Sequence, residues 1–185
     1  MEKDNTLARA AHDLGLAAWF GGSLMGAIGV NGASKAVTDP QQRARVANAG
    51  WERWTPANMA AIGSYLVGGT MLTLANKGRI AGQKGVASTS LAKAGLTAMS
   101  LGATAYARAL GQKVIENGDV PVEDGTTPTA ATPEEVAKSQ KQLKVLQWAI
   151  PAHVAALIAI SSKMGEQQRP TNVAQGIRKR LQPAA

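Results

Sequence analysis

The chain has 185 residues, enough for one domain. Lys and Arg number 20 against 12 Asp and Glu, a net charge of +8, and there is no Cys, which excludes disulfides, thiolate metal centres and a Cys nucleophile. Hydrophobic residues make up 45% while the mean hydropathy is −0.09, because much of that content is Ala and Gly, so any membrane reading rests on where charges are missing.

The opening segment, MEKDNTLAR, mixes acids and bases around no apolar core, and is expected to be neither a secretory signal nor a transit peptide. Leu14 to Ser34 then runs 21 residues without a charge. At about 1.5 Å per residue, such a helix covers the ~30 Å of a bilayer's hydrocarbon core. Gly22 and Gly26 form a GxxxG inside it, a spacing that lets a second helix approach closely. In the polar stretch that follows, QQRARVANAGWERW places Ala44, Ala47, Trp51 and Trp54 on one face, which predicts a short helix lying in the interface plane.

The second window, Trp54 to Asn76, has 23 uncharged residues, with Pro56 suited to a first helical turn and Ser64 and Gly68 as a second small-residue pair. KGRIAGQKGVASTSLAK is basic without an acid. Its GRIAGQKG is not a phosphate-binding loop, since Gly85 stands where Ser or Thr must hold magnesium. The third window, Ala94 to Ala107, has only 14 uncharged residues. It spans as roughly 91–110 if Lys93 and Arg108 snorkel towards the headgroups. Ala98 and Gly102 repeat the small-residue spacing there. Residues 111–133 are acidic and rich in Pro and Thr, and are expected to be mobile. Thr132 and Glu135 suggest a capping box for a helix running into the fourth window, the 18 uncharged residues Val145 to Ser162. In the basic tail, 163–185, Val173, Ile177 and Leu181 form a stripe beside Arg178, Lys179 and Arg180, which fits either a solvated tail or a helix on the membrane surface.

The sequence thus predicts an all-α fold, a four-transmembrane-helix bundle with an interfacial helix in its first loop. The N-terminus, second loop and tail hold 11 Lys and Arg against 9 in the other two loops, which favours cytoplasmic termini. Trp51, Trp54 and Trp148 all fall at one end of helices two and four, as membrane-interface residues would. Basic residues flank the uncharged runs instead of gathering on one face, which points to lipid and away from nucleic acid.

The segment His12-Asp-Leu-Gly-Leu-Ala-Ala-Trp19-Phe-Gly21-Gly22 resembles the first helix of the copper-resistance D-like family of bacterial membrane proteins, where a His precedes an aliphatic turn and a W-x-G-G. The resemblance covers about eleven residues and implies copper at His12 and a packing role for Trp19. The chain departs from that family in lacking a Met-rich or His-rich segment to collect the metal. His153 follows Pro151 in the fourth window; it reads either as a proton or cofactor contact or as a neutral His bonded to a neighbouring helix. Pairing His12 with His153 around a haem meets a depth mismatch of about 14 Å along the helix axes.

No HExxH, no GxSxG and no pair of acids within a predicted span is present. The expected role is therefore non-enzymatic: an accessory or structural subunit of a larger assembly in a bacterial cytoplasmic membrane. The alternatives are a membrane protein handling copper, haem or protons through His12 or His153, and a soluble Ala-rich four-helix bundle.

Overall fold

A computed structural model describes residues 4–181 and is almost entirely helical. Helix α1 (Thr6–Met25) passes through one π turn (Gly26–Val30) into α2 (Asn31–Ser34) without a break. Helices α3 (Arg43–Ala75), α5 (Val86–Glu116) and α6 (Glu134–Glu166) are the other long rods, joined by the short α4 (Lys77–Gly82) and followed by α7 (Pro170–Leu181). Strands β1 (Val122–Asp124) and β2 (Thr127–Pro128) pair antiparallel between α5 and α6. Two helices, Thr6–Ser34 with mean hydropathy 1.3 and Glu134–Glu166 with 1.6, are long and apolar enough to cross a membrane. Helices α3 and α5 are as long, but Ala, Gly, Ser and Thr dilute them.

The rods run up, down, up, down. Helices α1 and α3 form one extensive interface and α5 and α6 the other; α1 against α6 joins the pairs, and α3 and α5 barely touch. Small residues set the α1–α3 crossing. Ala8, Gly15 and Gly22 lie seven apart on α1, facing Gly68, Ala61 and Trp54, also seven apart, on α3. A Cβ built on Gly15 would meet the backbone of Ala61 and lie 2.5 Å from Tyr65 N, and one on Gly68 would lie 2.5 Å from His12 N. Only glycine permits backbones this close.

Two apolar clusters fill the bundle. Leu16, Trp19, Tyr65, Ile150, Val154 and Leu157 pack midway along it. Ala44, Leu110, Val114, Val122, Val136 and Leu143 pack at one end, under the hairpin. This second cluster explains three departures from the sequence reading. The expected interfacial helix is the first turns of α3, which runs unbroken through Pro56, because Ala44 and Ala47 are buried against the end of the bundle. The expected mobile segment 111–133 is partly the last turns of α5 and partly the hairpin. Val122 is buried there, Gln140 Nε2 donates to the Asp124 carbonyl, and Ser34 Oγ accepts from the Gly125 N–H. Thr132 caps no helix: its hydroxyl donates to the Pro121 carbonyl 2.6 Å away, and α6 starts after Pro133 with no side-chain cap.

At the opposite end the start of α1 meets the chain just after α6, with Arg9 Nη2 donating to Gln168 Oε1 at 3.1 Å. Helix α7 rests there on the α4–α5 turn through Gly176 and Gln83. Val173 is half-buried and Ile177 exposed. The Arg180 and Leu181 side chains of the proposed stripe, like residues 1–3 and 182–185, lie outside the described residues.

Candidate functional site: a polar cleft between two helices

Where α3 and α5 diverge, near the end that carries α4 and α7, they leave a cleft of about 440 Å³, within the ~300–1,000 Å³ of small-molecule sites. Its inner wall carries His12, which is 2% exposed. His12 Nδ1 lies 2.6 Å from Asp13 Oδ1, and Nε2 lies 2.6 Å from Lys93 Nζ. An ammonium has only donors, so Nε2 is the acceptor and the ring proton sits on Nδ1, donating to Asp13.

Tyr65 completes the inner wall. Its ring is centred 5.0 Å from the His12 ring and 5.6 Å from Lys93 Nζ, within cation–π reach. Thr97 Oγ1 donates to the Lys93 carbonyl at 2.9 Å and therefore accepts from Tyr65 Oη at 2.7 Å. Among the described residues, Arg9, Arg79 and Lys93 line the cleft against a single carboxylate, Asp13. Lys93 makes no salt bridge among the described residues. The Ser90 hydroxyl, which also lines the cleft, is buried without a hydrogen-bond partner. Below this polar rim the walls are apolar or small: Leu66, Ala94, Ala98 and Leu101.

A smaller cavity of about 90 Å³ lies towards the hairpin end, between Ser23, Trp54, Asn58, Thr104 and Gln147. Beside it Asn31, buried at the end of the π turn, donates to Gln147 Oε1 and accepts from Trp51 Nε1 at 3.1 Å. One amide thus ties α2, α3 and α6 together.

The residues singled out from the sequence divide between these regions. Gly22 and Gly26 are packing residues, but the Trp54 and Trp51 rings fill their notches, not a helix backbone. Those two Trp are half-buried for that reason, and only Trp148, 53% exposed, stands free at the surface. Ser64 Oγ donates to the Ala11 carbonyl at 2.8 Å, and Gly68 makes the close backbone approach. Ala98 is exposed on the wall of the cleft, while Gly102 faces outward, where a Cβ would meet nothing within 4 Å. His153 is half-buried, lines neither cavity, and its Nδ1 has no partner. Both ring nitrogens of His12 are engaged, so copper there would have to displace Lys93 or Asp13. Among the described residues no three or more His, Asp or Glu gather as a metal site would need.

Sequence reasoning missed Lys93 and Tyr65 as neighbours of His12, and Thr97 as the partner that fixes them both. The signal was the i,i+4 pairing of Lys93 with Thr97 at the start of a charge-free window, which put an ammonium and a hydroxyl on one face. No protein-family model, curated protein or solved structure matches the chain.

Proposed function

We propose that the chain is a non-enzymatic four-helix integral membrane protein, an accessory or structural subunit of a larger assembly in a bacterial cytoplasmic membrane, with both termini cytoplasmic. One observation carries the membrane reading: along the charge-free windows large apolar side chains face outward, while several polar ones are buried beside the apolar core. Ser23, Asn31, Ser34 and Ser100 are buried, whereas Leu14, Met25, Met59, Val67, Met71, Leu74, Met99 and Val145 are exposed. The outward hydroxyls of Thr70, Thr73 and Ser162 each donate to a carbonyl of their own helix, as lipid requires of any polar group. Counted between flanking charges at about 1.5 Å per residue, the windows run from about 22 Å for α5 to about 36 Å for α3, bracketing the ~30 Å hydrocarbon core. An apolar belt this continuous on a water-exposed bundle would be an aggregation surface.

The subunit role rests on the outer face of α5, where Gly95 and Gly102 are exposed and a Cβ on either would meet nothing within 4 Å among the described residues. Small residues in lipid favour contact with another helix over contact with acyl chains. The test is a gentle-detergent pull-down of the tagged chain from native membranes, read by mass spectrometry of the intact eluate. A stoichiometric partner lost on Gly102→Leu supports the role; a chain that elutes alone refutes it. The cleft favours a second reading, ligand handling at His12. Copper or haem bound there or at His153 would show as metal or a Soret band in the purified protein, lost on His12→Ala or His153→Ala.

A further inference from the structure

We infer that the α3–α5 cleft binds an acidic phospholipid, with its phosphate at Lys93 and an acyl chain in the groove below; this rests on the membrane reading. The first argument is charge. Arg9, Arg79 and Lys93 face the cleft against Asp13 alone, and Asp13 is turned to His12 Nδ1. Arg79 donates to the Gln167 carbonyl, Asn76 Oδ1 and Gln83 Oε1, and Arg9 to Gln168 Oε1, all neutral acceptors. Lys93 donates to a neutral imidazole. Three cations therefore lack an ion pair among the described residues; Arg9 is exposed, but Lys93 and Arg79 are half-buried, and for these two the arrangement costs desolvation energy unless an anion completes it.

The second argument is placement. Lys93 ends the charge-free window of α5, so in a bilayer it sits at headgroup depth, beside the unpartnered Ser90 hydroxyl. Further along α5 the cleft is lined by Leu66, Ala94, Ala98 and Leu101, between two helices that barely touch. A free anion would use the rim and leave the groove empty; a zwitterionic lipid would fill the groove and gain less at the rim. A phospholipid with net negative charge matches both.

The test is native mass spectrometry of the delipidated full chain in detergent, titrated with dioleoyl phosphatidic acid, dioleoyl phosphatidylcholine or inorganic phosphate. Phosphatidic acid is expected to bind about tenfold or more tightly than phosphatidylcholine, the worth of one charge-assisted contact. Lys93→Gln should erase that preference and Lys93→Arg keep it. Ala94→Trp, which fills the groove without altering charge, should weaken both lipids while helix content by circular dichroism is unchanged. Equal binding of the two lipids, displacement of phosphatidic acid by inorganic phosphate, or an unaffected Ala94→Trp variant would overturn the inference. Alkaline carbonate extraction of the same variants separates the two failures: release from membranes counts against the membrane reading, whereas lost lipid preference in a chain that stays in the pellet counts only against the cleft.

Discussion

The α1–α3 crossing offers the sharpest mutational test, because glycines in one bundle have opposite surroundings. Gly68→Ala places a methyl group 2.5 Å from His12 N, and Gly15→Ala places one 2.5 Å from Tyr65 N. The obstructing atoms are backbone, so no rotamer relieves them and the helices must separate. Overpacking costs about 1–3 kcal/mol, against about 0.5–1 kcal/mol gained from replacing Gly by Ala in a helix. Each substitution is expected to lose about 1 kcal/mol net, and Gly68→Ala also displaces the His12 backbone and thus the Lys93 contact. Gly102→Ala, with nothing within 4 Å of its Cβ, keeps the helix gain. Unfolding of the purified chain by SDS in mixed micelles, followed by far-UV circular dichroism, measures all three. Gly68→Ala and Gly102→Ala with equal stability would refute the crossing as described.

Three further outcomes follow from the same contacts. Trp54→Ala empties the notch over Gly22 and should cost about 3–5 kcal/mol; adding Gly22→Leu should recover part of it, and a double variant no better than Trp54→Ala would remove the ring from the notch. Val67, 61% exposed on α3, should resist Val67→Arg: membrane insertion would lose about 2.5–3.5 kcal/mol, whereas a water-facing site would change by at most about 0.5 kcal/mol. Burial alone would raise the Asp124 carboxyl, but hydrogen bonds from the Thr126 N–H, Thr127, the Thr126 hydroxyl and Lys35 hold it below its ordinary 3.8. A depressed acid stabilises the hairpin fully above 3.8 and loses that contribution as pH falls through its folded value. The protection factor of the Thr126 amide, its exchange rate corrected for the intrinsic pH dependence, should therefore fall below that pH, and Asp124→Asn should remove the acid step; an unchanged step in Asp124→Asn would assign it elsewhere.

How far the sequence reached depends on the range of the interaction. Runs without charge are local, and all four windows lie within long helices. Small-residue pairs are local too, but what fills a glycine notch is not. Gly22 and Gly26 hold indole rings, while Gly15, outside the GxxxG, meets a backbone; the seven-residue repeat Ala8, Gly15, Gly22 carried that signal. The segment 111–133 has the composition of a loop, yet Val122 and Asp124 are buried because α3, α5 and α6 extend past the windows and need a cap. Lys93 and His12 are 81 positions apart, and each reads on its own as a helix-end charge. Only the packing of α1 and α5 against Tyr65 of α3 makes them one site.

The central claim is that the outward belt faces lipid, and the absence of Cys makes the chain suited to single spin labels. The decisive measurement is electron paramagnetic resonance of the chain in liposomes, with one nitroxide at Val67, Met99, Val46 or Ile115. All four positions are exposed, the first two within the charge-free windows and the last two beyond Arg53 and Arg108. The account predicts that Val67 and Met99 relax with dissolved oxygen and are shielded from an aqueous nickel chelate, with Val46 and Ile115 the reverse. Equal access of the nickel chelate to all four would place the whole bundle in water and contradict it.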